Sequence, residues 1–167
     1  MRILIAEYDP LWPALYAAEA ERVRGVLGER ALSIEHVGST SVPGLPSKPI
    51  VDMLLAVADS SDESTYVGDL ERAGYRLHIR EPQWFEHRLF KGPAADINLH
   101  VFSRGCQEIE RMLRFRDWLR GHPADVELYL STKRALAQQE WGQTQDYANA
   151  KTEVVRAILE RAASAIY

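Results

Sequence analysis

The 167-residue sequence has only one cysteine, Cys106. A single cysteine excludes an intramolecular disulfide and any zinc site built from several cysteines, and it fits a reducing compartment. Long hydrophobic runs are also missing. No window approaches the roughly 18 to 20 apolar residues of a membrane span, and the about four apolar residues before Glu7 are too few for a signal peptide. We therefore expect a cytoplasmic protein that has no membrane partner.

The sequence also lacks an excess of positive charge. It has 20 Lys and Arg against 24 Asp and Glu, which gives a formal net charge of −4. This balance removes the global electrostatic argument for a nucleic-acid partner, although a local basic pocket remains compatible with it. Internal repeats and low-complexity tails are absent, and the hydrophobic fraction of 46% is typical of a globular chain. We predict a single domain over residues 1–167.

Hydrophobic periodicity predicts the order helix, two strands, helix, three strands and three helices. The predicted helices cover 10–27 and about 63–73, and the predicted strands cover 32–37, 50–57, 75–79, 84–91 and 96–102. From Cys106 onward the pattern is helical, and Tyr147, Lys151 and Val154 mark the last helix. We expect an α+β domain: a mixed or mostly antiparallel β-sheet with helices packed on it, and a C-terminal three-helix segment.

The segment IEHVGSTSVPGLPSKPIVDMLLAV (34–57) contains the strongest candidate for a ligand loop. Gly38 allows phosphates to approach the backbone, and hydroxyl groups after it add hydrogen-bond donors. These hydroxyl side chains are Ser39, Thr40 and Ser41, and Lys48 adds a cation. The loop is not a Walker A motif, because Gly44 is not followed by Lys-Ser or Lys-Thr. The same residues also suit a plain tight connection between two strands.

Asp52 is an acid inside an apolar strand. An ionised carboxylate in such a place is costly unless it meets a cation or hydrogen-bond donors. Lys48, Arg88 and Mg²⁺ are the candidate partners, and the sequence does not choose between a salt bridge and a metal ion.

Three polar residues alternate along the strand 96–102: Asp96, Asn98 and His100. Alternation places them on one face of that strand. If this strand neighbours the one that carries Asp52, we expect Asp96 or His100 to share its site. The alternative is a polar face that contacts only solvent, which is common in antiparallel sheets.

Several further cations are candidate anion contacts. Arg88 and Lys91 lie on a predicted strand, whereas Arg116 and Lys151 occupy the apolar stripes of their helices. A cation in an apolar stripe either extends outward to solvent or meets an anion in a cleft. His36 has the same strand parity as the loop glycine, which makes it a candidate for the same pocket.

These motifs resemble the GrpB family over nearly the whole chain. The similar segments are YDPLWPALYAAEAERVRGVLG, the central motif at 34–57, AGYRL, RLFKGP, NLHV, FRDWLRGHPADVELY and the helix from Tyr147 to Lys151. The resemblance implies a nucleotidyltransferase-like fold. It also implies that Gly38 and Ser39 contact nucleotide phosphates, while Asp52 and Asp96 hold Mg²⁺ for an in-line attack on the α-phosphate.

The chain departs at two informative positions from what the resemblance leads us to expect. Leu54 stands where the second acid of an Asp-x-Asp pair is expected, and Asn98 stands where the family commonly has histidine.

Three hypotheses follow: transfer of a nucleotidyl group from a nucleoside triphosphate to a small acceptor, binding of a nucleotide or anionic metabolite without catalysis, or an enzyme of another class. The last would use His36 or His100 as its acid or base.

Overall fold

The computed structural model describes residues 4–94, 96–139 and 148–164, so the predicted helical position of Tyr147 lies outside the described residues. Helix α1 spans Leu11–Leu27, α2 Val67–Arg72, α3 Gln107–Gly121, α4 Pro123–Ala137 and α5 Thr152–Ser164. Strand β1 spans Ser33–Val37, β2 Val51–Val57, β3 Arg76–Glu81, β4 His87–Lys91 and β5 Ile97–Ser103. Among the described helices, none is both long enough and apolar enough to cross a membrane.

The five strands form one sheet in the order β1-β2-β5-β4-β3. Strands β2 and β5 are parallel, and the other neighbouring pairs are antiparallel. The predicted α+β class with a mixed sheet is therefore confirmed. The predicted strand 84–91 begins only at His87, because Phe85 and Glu86 have positive φ angles of 55° and 53° in the turn before it.

Local sequence signals explain where two of the helices begin. The Asp9 carboxylate accepts a hydrogen bond of 2.9 Å from the backbone N–H of Leu11, at the start of α1. Pro123 occupies the first turn of α4, where its missing N–H leaves no helical hydrogen bond unmade.

Apolar side chains cover both faces of the sheet. One face packs on α1 and α2, with Val23, Met53 and Phe90 in its fully buried cluster. On the other face, Leu54 and Phe102 pack against α3. Helices α3, α4 and α5 meet over the loop that follows β1, in a cluster built from Val42, Leu45, Leu119, Tyr129, Leu130 and Ile158. This second face, with the helices beside it, contains the candidate site.

Candidate functional site

The loop after β1 turns sharply at Gly38, which has φ 74° and ψ −176°. Two of the loop hydroxyls hold the loop itself: Ser41 Oγ donates to the Gly38 carbonyl at 2.5 Å, and Thr40 Oγ1 donates to the Ile50 carbonyl at 3.1 Å. A Cβ atom at Gly38 would lie only 2.8 Å from Asp52 Oδ2. Glycine is needed here both for its backbone angles and for the close approach of the carboxylate.

A buried lysine from α4 reaches this loop. Lys133 has only 1% of its surface exposed, and its Nζ donates to Ser39 Oγ at 3.0 Å and lies 3.5 Å from Ser47 Oγ. Burial is the main cause that lowers the pKa of Lys133 to about 7, and the charges of Lys151 and Lys48 lower it further. The site therefore holds closely spaced cations that favour a bound anion.

These groups surround a cavity of about 140 Å³, which we call the lysine cavity. It is lined by Ser39, Ser47, Lys48, Ile50, Asp52, Asn98, Lys133 and Lys151. Burial, with the charge of Lys151, also lowers the pKa of Lys48. Lys133 was not among the residues that the sequence singled out, although it shows the same signal as Lys151, a lysine in the apolar stripe of a helix.

Asp52 lies on β2 at the end of a hydrogen-bonded chain of side chains. His100 Nε2 is 3.0 Å from Asp52 Oδ1, and His100 Nδ1 is 3.0 Å from His87 Nε2. His87 Nδ1 is in turn 2.7 Å from Glu81 Oε1. Burial lowers the pKa of His87 to about 4, against the opposing effect of its hydrogen bond to Glu81. The chain crosses strands β2, β5, β4 and β3.

A larger cavity of about 520 Å³ adjoins the lysine cavity, and Asp52 and Lys151 line both. We call it the apolar cavity, because its walls are mainly the side chains of Trp84, Met112, Phe115, Tyr129, Val155 and Leu159. Gly38 and His100 also line it, and Glu108 and Arg111 add charged groups. Asp52 therefore stands at the junction between a cationic cavity and an apolar one.

Asp96 and Lys91 lie beside this junction rather than in it. Asp96 lines a separate cavity of about 320 Å³ together with Arg76 and Lys91. Asn98, rather than Asp96, is the direct cross-strand neighbour of Asp52, and its Oδ1 accepts a hydrogen bond of 2.7 Å from Lys91 Nζ. The structure does not bring Asp96 into either cavity that Asp52 lines.

His36 lies on the opposite face of the sheet from Asp52. It pairs in register with Met53, whose side chain alternates with that of Asp52. Its ring stacks on Tyr16 with 5.0 Å between centroids, and burial lowers its pKa to about 4. His36 Nε2 lies 3.0 Å from Thr40 Oγ1. His36 therefore supports the loop from the face of the sheet opposite to Asp52.

Arg88 and Arg116 form ion pairs inside the fold. Arg88 lies on the same face as His36, and its Nε donates to Glu63 at 2.7 Å. Arg116 Nη1 donates to Glu35 at 2.7 Å. The suggested pairing of Asp52 with Arg88 is not observed, because the two side chains point to opposite faces of the sheet, and the carboxylate meets His100 instead.

The side chains around Asp52 are too few to coordinate a cation alone, so a bound molecule must supply its remaining ligands. Within 4–94, 96–139 and 148–164, no group of three or more His, Cys, Asp or Glu side chains is placed to hold a metal ion. Leu54 is 1% exposed and packs with Phe102, so a second acid is absent from this strand. One carboxylate and one imidazole suit an ion whose remaining ligands are phosphate oxygens and water.

The comparisons with known proteins agree over the whole chain. Residues 2–161 match the profile of the family described as GrpB protein. A UPF0157 protein of Halalkalibacterium halodurans is 63% identical over 160 residues, which cover 96% of this chain and 82% of the relative. A UPF0157 protein of Streptomyces coelicolor is 43% identical over 165 residues, covering 99% and 87%. The crystal structure of GrpB from Enterococcus faecalis has a TM-score of 0.81 and 32% identity, covering 95% of this chain and 98% of that one. The chain therefore belongs to the GrpB family, as its central motif predicted.

Proposed function

We propose that the protein binds a nucleoside triphosphate and transfers its nucleotidyl group to a small acceptor. The observation that carries the proposal is the position of Asp52 between the lysine cavity and the apolar cavity. A nucleoside triphosphate has a polyanionic part and a flat, largely apolar base, so it offers one part to each cavity. Its α-phosphate, where the parts join, then lies beside Asp52.

The lysine cavity supplies the groups that a triphosphate needs. Lys133, Lys48 and Lys151 contribute positive charge, and Ser39 contributes a hydroxyl beside Lys133 Nζ. An anion offsets the unfavourable free energy of burying the Lys133 ammonium, so binding and protonation of this lysine support each other. The family resemblance independently implies phosphate contacts at Gly38 and Ser39.

The apolar cavity supplies surfaces on which a base can stack. Phe115 and Tyr129 meet edge to face with 5.4 Å between ring centroids, and Trp84 lies on another wall. Stacking of one base on an aromatic side chain is worth about 1–3 kcal/mol. The buried Glu108 and its partner Arg111, whose Nη1 donates to Glu108 at 3.1 Å, offer hydrogen bonds to the edge of a base.

The proposed transfer forms one bond and breaks one bond. The acceptor hydroxyl oxygen bonds to the α-phosphorus, the bond from that phosphorus to the bridging oxygen of the β-phosphate breaks, and pyrophosphate leaves with the electron pair. The hydroxyl proton is released to water. A divalent cation at Asp52 would neutralise negative charge on the phosphates. The lysines would hold the triphosphate in line for this attack, and Asp52 would contribute through the cation that it holds.

A second candidate function is binding of a nucleotide or anionic metabolite without transfer. The buried Leu54 favours it, because a two-metal site of the usual kind needs a second acid at that position. In that case the lysine cavity still binds phosphates, and the nucleotide is recognised but not consumed.

One experiment separates the two functions. The protein is incubated with an α-labelled nucleoside triphosphate, Mg²⁺ or Mn²⁺, and a pool of small hydroxyl-bearing acceptors, and both label transfer and pyrophosphate release are measured. Transfer that Asp52→Asn abolishes, and that the exposed control Asp117→Asn keeps, supports the enzyme. Nucleotide-dependent stabilisation in thermal melting without turnover supports the binding protein. The absence of both stabilisation and turnover contradicts both functions.

A further inference from the structure

We propose that His100 is a metal ligand together with Asp52, for a first-row divalent transition metal, and that Glu81 and His87 hold its ring in place for that role. The inference rests on the proposed function, because the remaining ligands of the metal come from the bound triphosphate. Neither Glu81 nor His87 stands out in the sequence, and only the order of the strands brings them into line with Asp52.

The chain of side chains from Glu81 to Asp52 has one contact more than two neutral rings can supply with protons. The carboxylates at its two ends only accept, and the two rings bring two N–H groups to three contacts. When both rings donate toward Glu81, His100 Nε2 keeps a lone pair beside Asp52 Oδ1 at 3.0 Å. A metal ion bound by both atoms, or an additional proton, then completes this contact.

The separation of these two atoms suits two neighbouring ligands of one metal ion. Two ligands at right angles, each about 2.1 Å from the ion, lie about 3.0 Å apart. Imidazole nitrogen is a good ligand for first-row transition metals, whereas Mg²⁺ prefers oxygen. The separation suits either ion, and the imidazole nitrogen favours a transition metal over Mg²⁺.

The ring of His87 is packed so that it cannot turn away. It is 3% exposed, it stacks on Phe102 with 4.8 Å between ring centroids, and it meets Trp84 edge to face with 4.8 Å between centroids. A histidine that binds metal commonly donates its other N–H to a hydrogen-bond acceptor, which fixes the tautomer and the ring. Here the acceptor is His87, which Glu81 in turn orients.

The charges around Asp52 make metal and phosphate binding depend on each other. Lys48, Lys133 and Lys151 share its cavity, so a lone cation meets repulsion there. A bound polyphosphate removes that repulsion and supplies oxygen ligands. We therefore expect the metal to bind tightly only in the presence of a polyphosphate.

Pulsed electron paramagnetic resonance of bound Mn²⁺ tests the proposal. Inorganic tripolyphosphate supplies the phosphate oxygens and contains no nitrogen, so any directly coordinated ¹⁴N signal comes from the protein. We expect this signal in the wild-type protein, its loss in His100→Asn, and its retention in His78→Gln, which alters an exposed histidine of β3. Thermal melting of each variant checks that it is folded.

The possible failures point to different conclusions. Manganese tripolyphosphate that binds without ¹⁴N coupling, or coupling that persists in His100→Asn, overturns the inference and leaves the proposed function standing. Binding of tripolyphosphate alone, with no added Mn²⁺ bound, does the same. If the protein binds tripolyphosphate neither with nor without Mn²⁺, the proposed function fails as well. If His100→Asn does not fold, His100→Gln takes its place, and a wild-type spectrum without ¹⁴N coupling overturns the inference on its own.

Discussion

Lys133 Nζ lies 3.0 Å from Ser39 Oγ and connects the middle of α4 to the loop after β1, across 94 positions of sequence. The ammonium group is almost completely buried, and Ser47 Oγ is its second hydroxyl neighbour. Two hydroxyls do not replace the hydration of a charge, and Lys48 and Lys151 add repulsion. A group that disfavours folding in this way is typical of a binding site for an opposite charge.

Replacing Lys133 with methionine should stabilise the protein and abolish its affinity for polyphosphate. Methionine keeps most of the volume without a buried charge, so we expect a gain of about 1–2 kcal/mol in the free energy of unfolding. The gain should be largest below pH 7, where the lysine is charged in both the folded and unfolded states. It should shrink toward the ordinary pKa of lysine, because the folded state releases its proton at about 7. Urea denaturation at several pH values measures it.

Arg134→Met is the matched control for this substitution. Arg134 is the next residue of α4, its side chain is half exposed, and it pairs with Glu7. We expect little change in stability and unchanged polyphosphate binding. A Lys133→Met variant that is less stable than the wild type, or that still binds tripolyphosphate, would show that this lysine has a structural role.

The affinity for a simple anion should fall as the pH rises through about 7. Sulfate is a suitable probe because its charge is constant in this range, whereas Lys133 must be protonated to bind it. We expect the affinity to be level below the pKa of about 7 and to fall by up to about tenfold for each pH unit above it. Calorimetric titration between pH 6 and 9 measures this. A Lys133→Arg variant, whose guanidinium stays charged, should give a level profile; equal slopes in both proteins would contradict the assignment.

The sequence predicted the strands and the ligand loop better than it predicted which side chains meet. Periodicity was sufficient for β2 and α1, because burial of one face alone decides them. His36 was expected in the same pocket as Gly38 from strand parity. The turn at Gly38, with its positive φ, ends that alternation, and His36 points to the other face. Arg88 was suggested as a partner of Asp52 because a carboxylate in an apolar strand needs a cation. The pattern within one strand does not tell which face of the sheet its residues share with those of another strand.

Contacts that depend on tertiary structure could not be predicted from the sequence. The chain from Asp52 to Glu81 requires β5 and β4 to lie between β2 and β3 in a fixed register. Lys133 reaches the loop only because α4 packs over it through Tyr129 and its neighbours. In both cases the residue types were visible, but their partners are far away in the sequence.

Gly38→Ala should destabilise the protein and displace the Asp52 carboxylate. The added Cβ would lie 2.8 Å from Asp52 Oδ2, and the backbone angles at Gly38 are essentially restricted to glycine, so we expect a loss of about 1–3 kcal/mol. Gly44→Ala is the control, because Gly44 also has a positive φ but no heavy atom near a built Cβ. Both variants should melt at a lower temperature than the wild type, and only Gly38→Ala should lose the stabilisation that nucleotide with metal provides. If nucleotide with metal stabilises both variants equally, Gly38 is not part of the binding site.

Glu81→Ala should weaken metal binding although Glu81 does not reach the metal. Without this carboxylate, the arrangement in which both rings donate away from Asp52 loses its terminal acceptor, so His100 presents its Nε2 lone pair to the metal in fewer molecules. Loss of such a supporting hydrogen bond typically reduces metal affinity by about 10–100-fold. Titration of Mn²⁺ in saturating tripolyphosphate measures the change. Glu86→Ala removes a nearby carboxylate that pairs with Arg88 instead, and its Mn²⁺ affinity should remain that of the wild type. Because Glu81 lies outside both cavities, the tripolyphosphate affinity measured without metal should be unchanged. If Glu81→Ala also lowers that affinity, Glu81 stabilises the fold in general and does not specifically support the metal ligand.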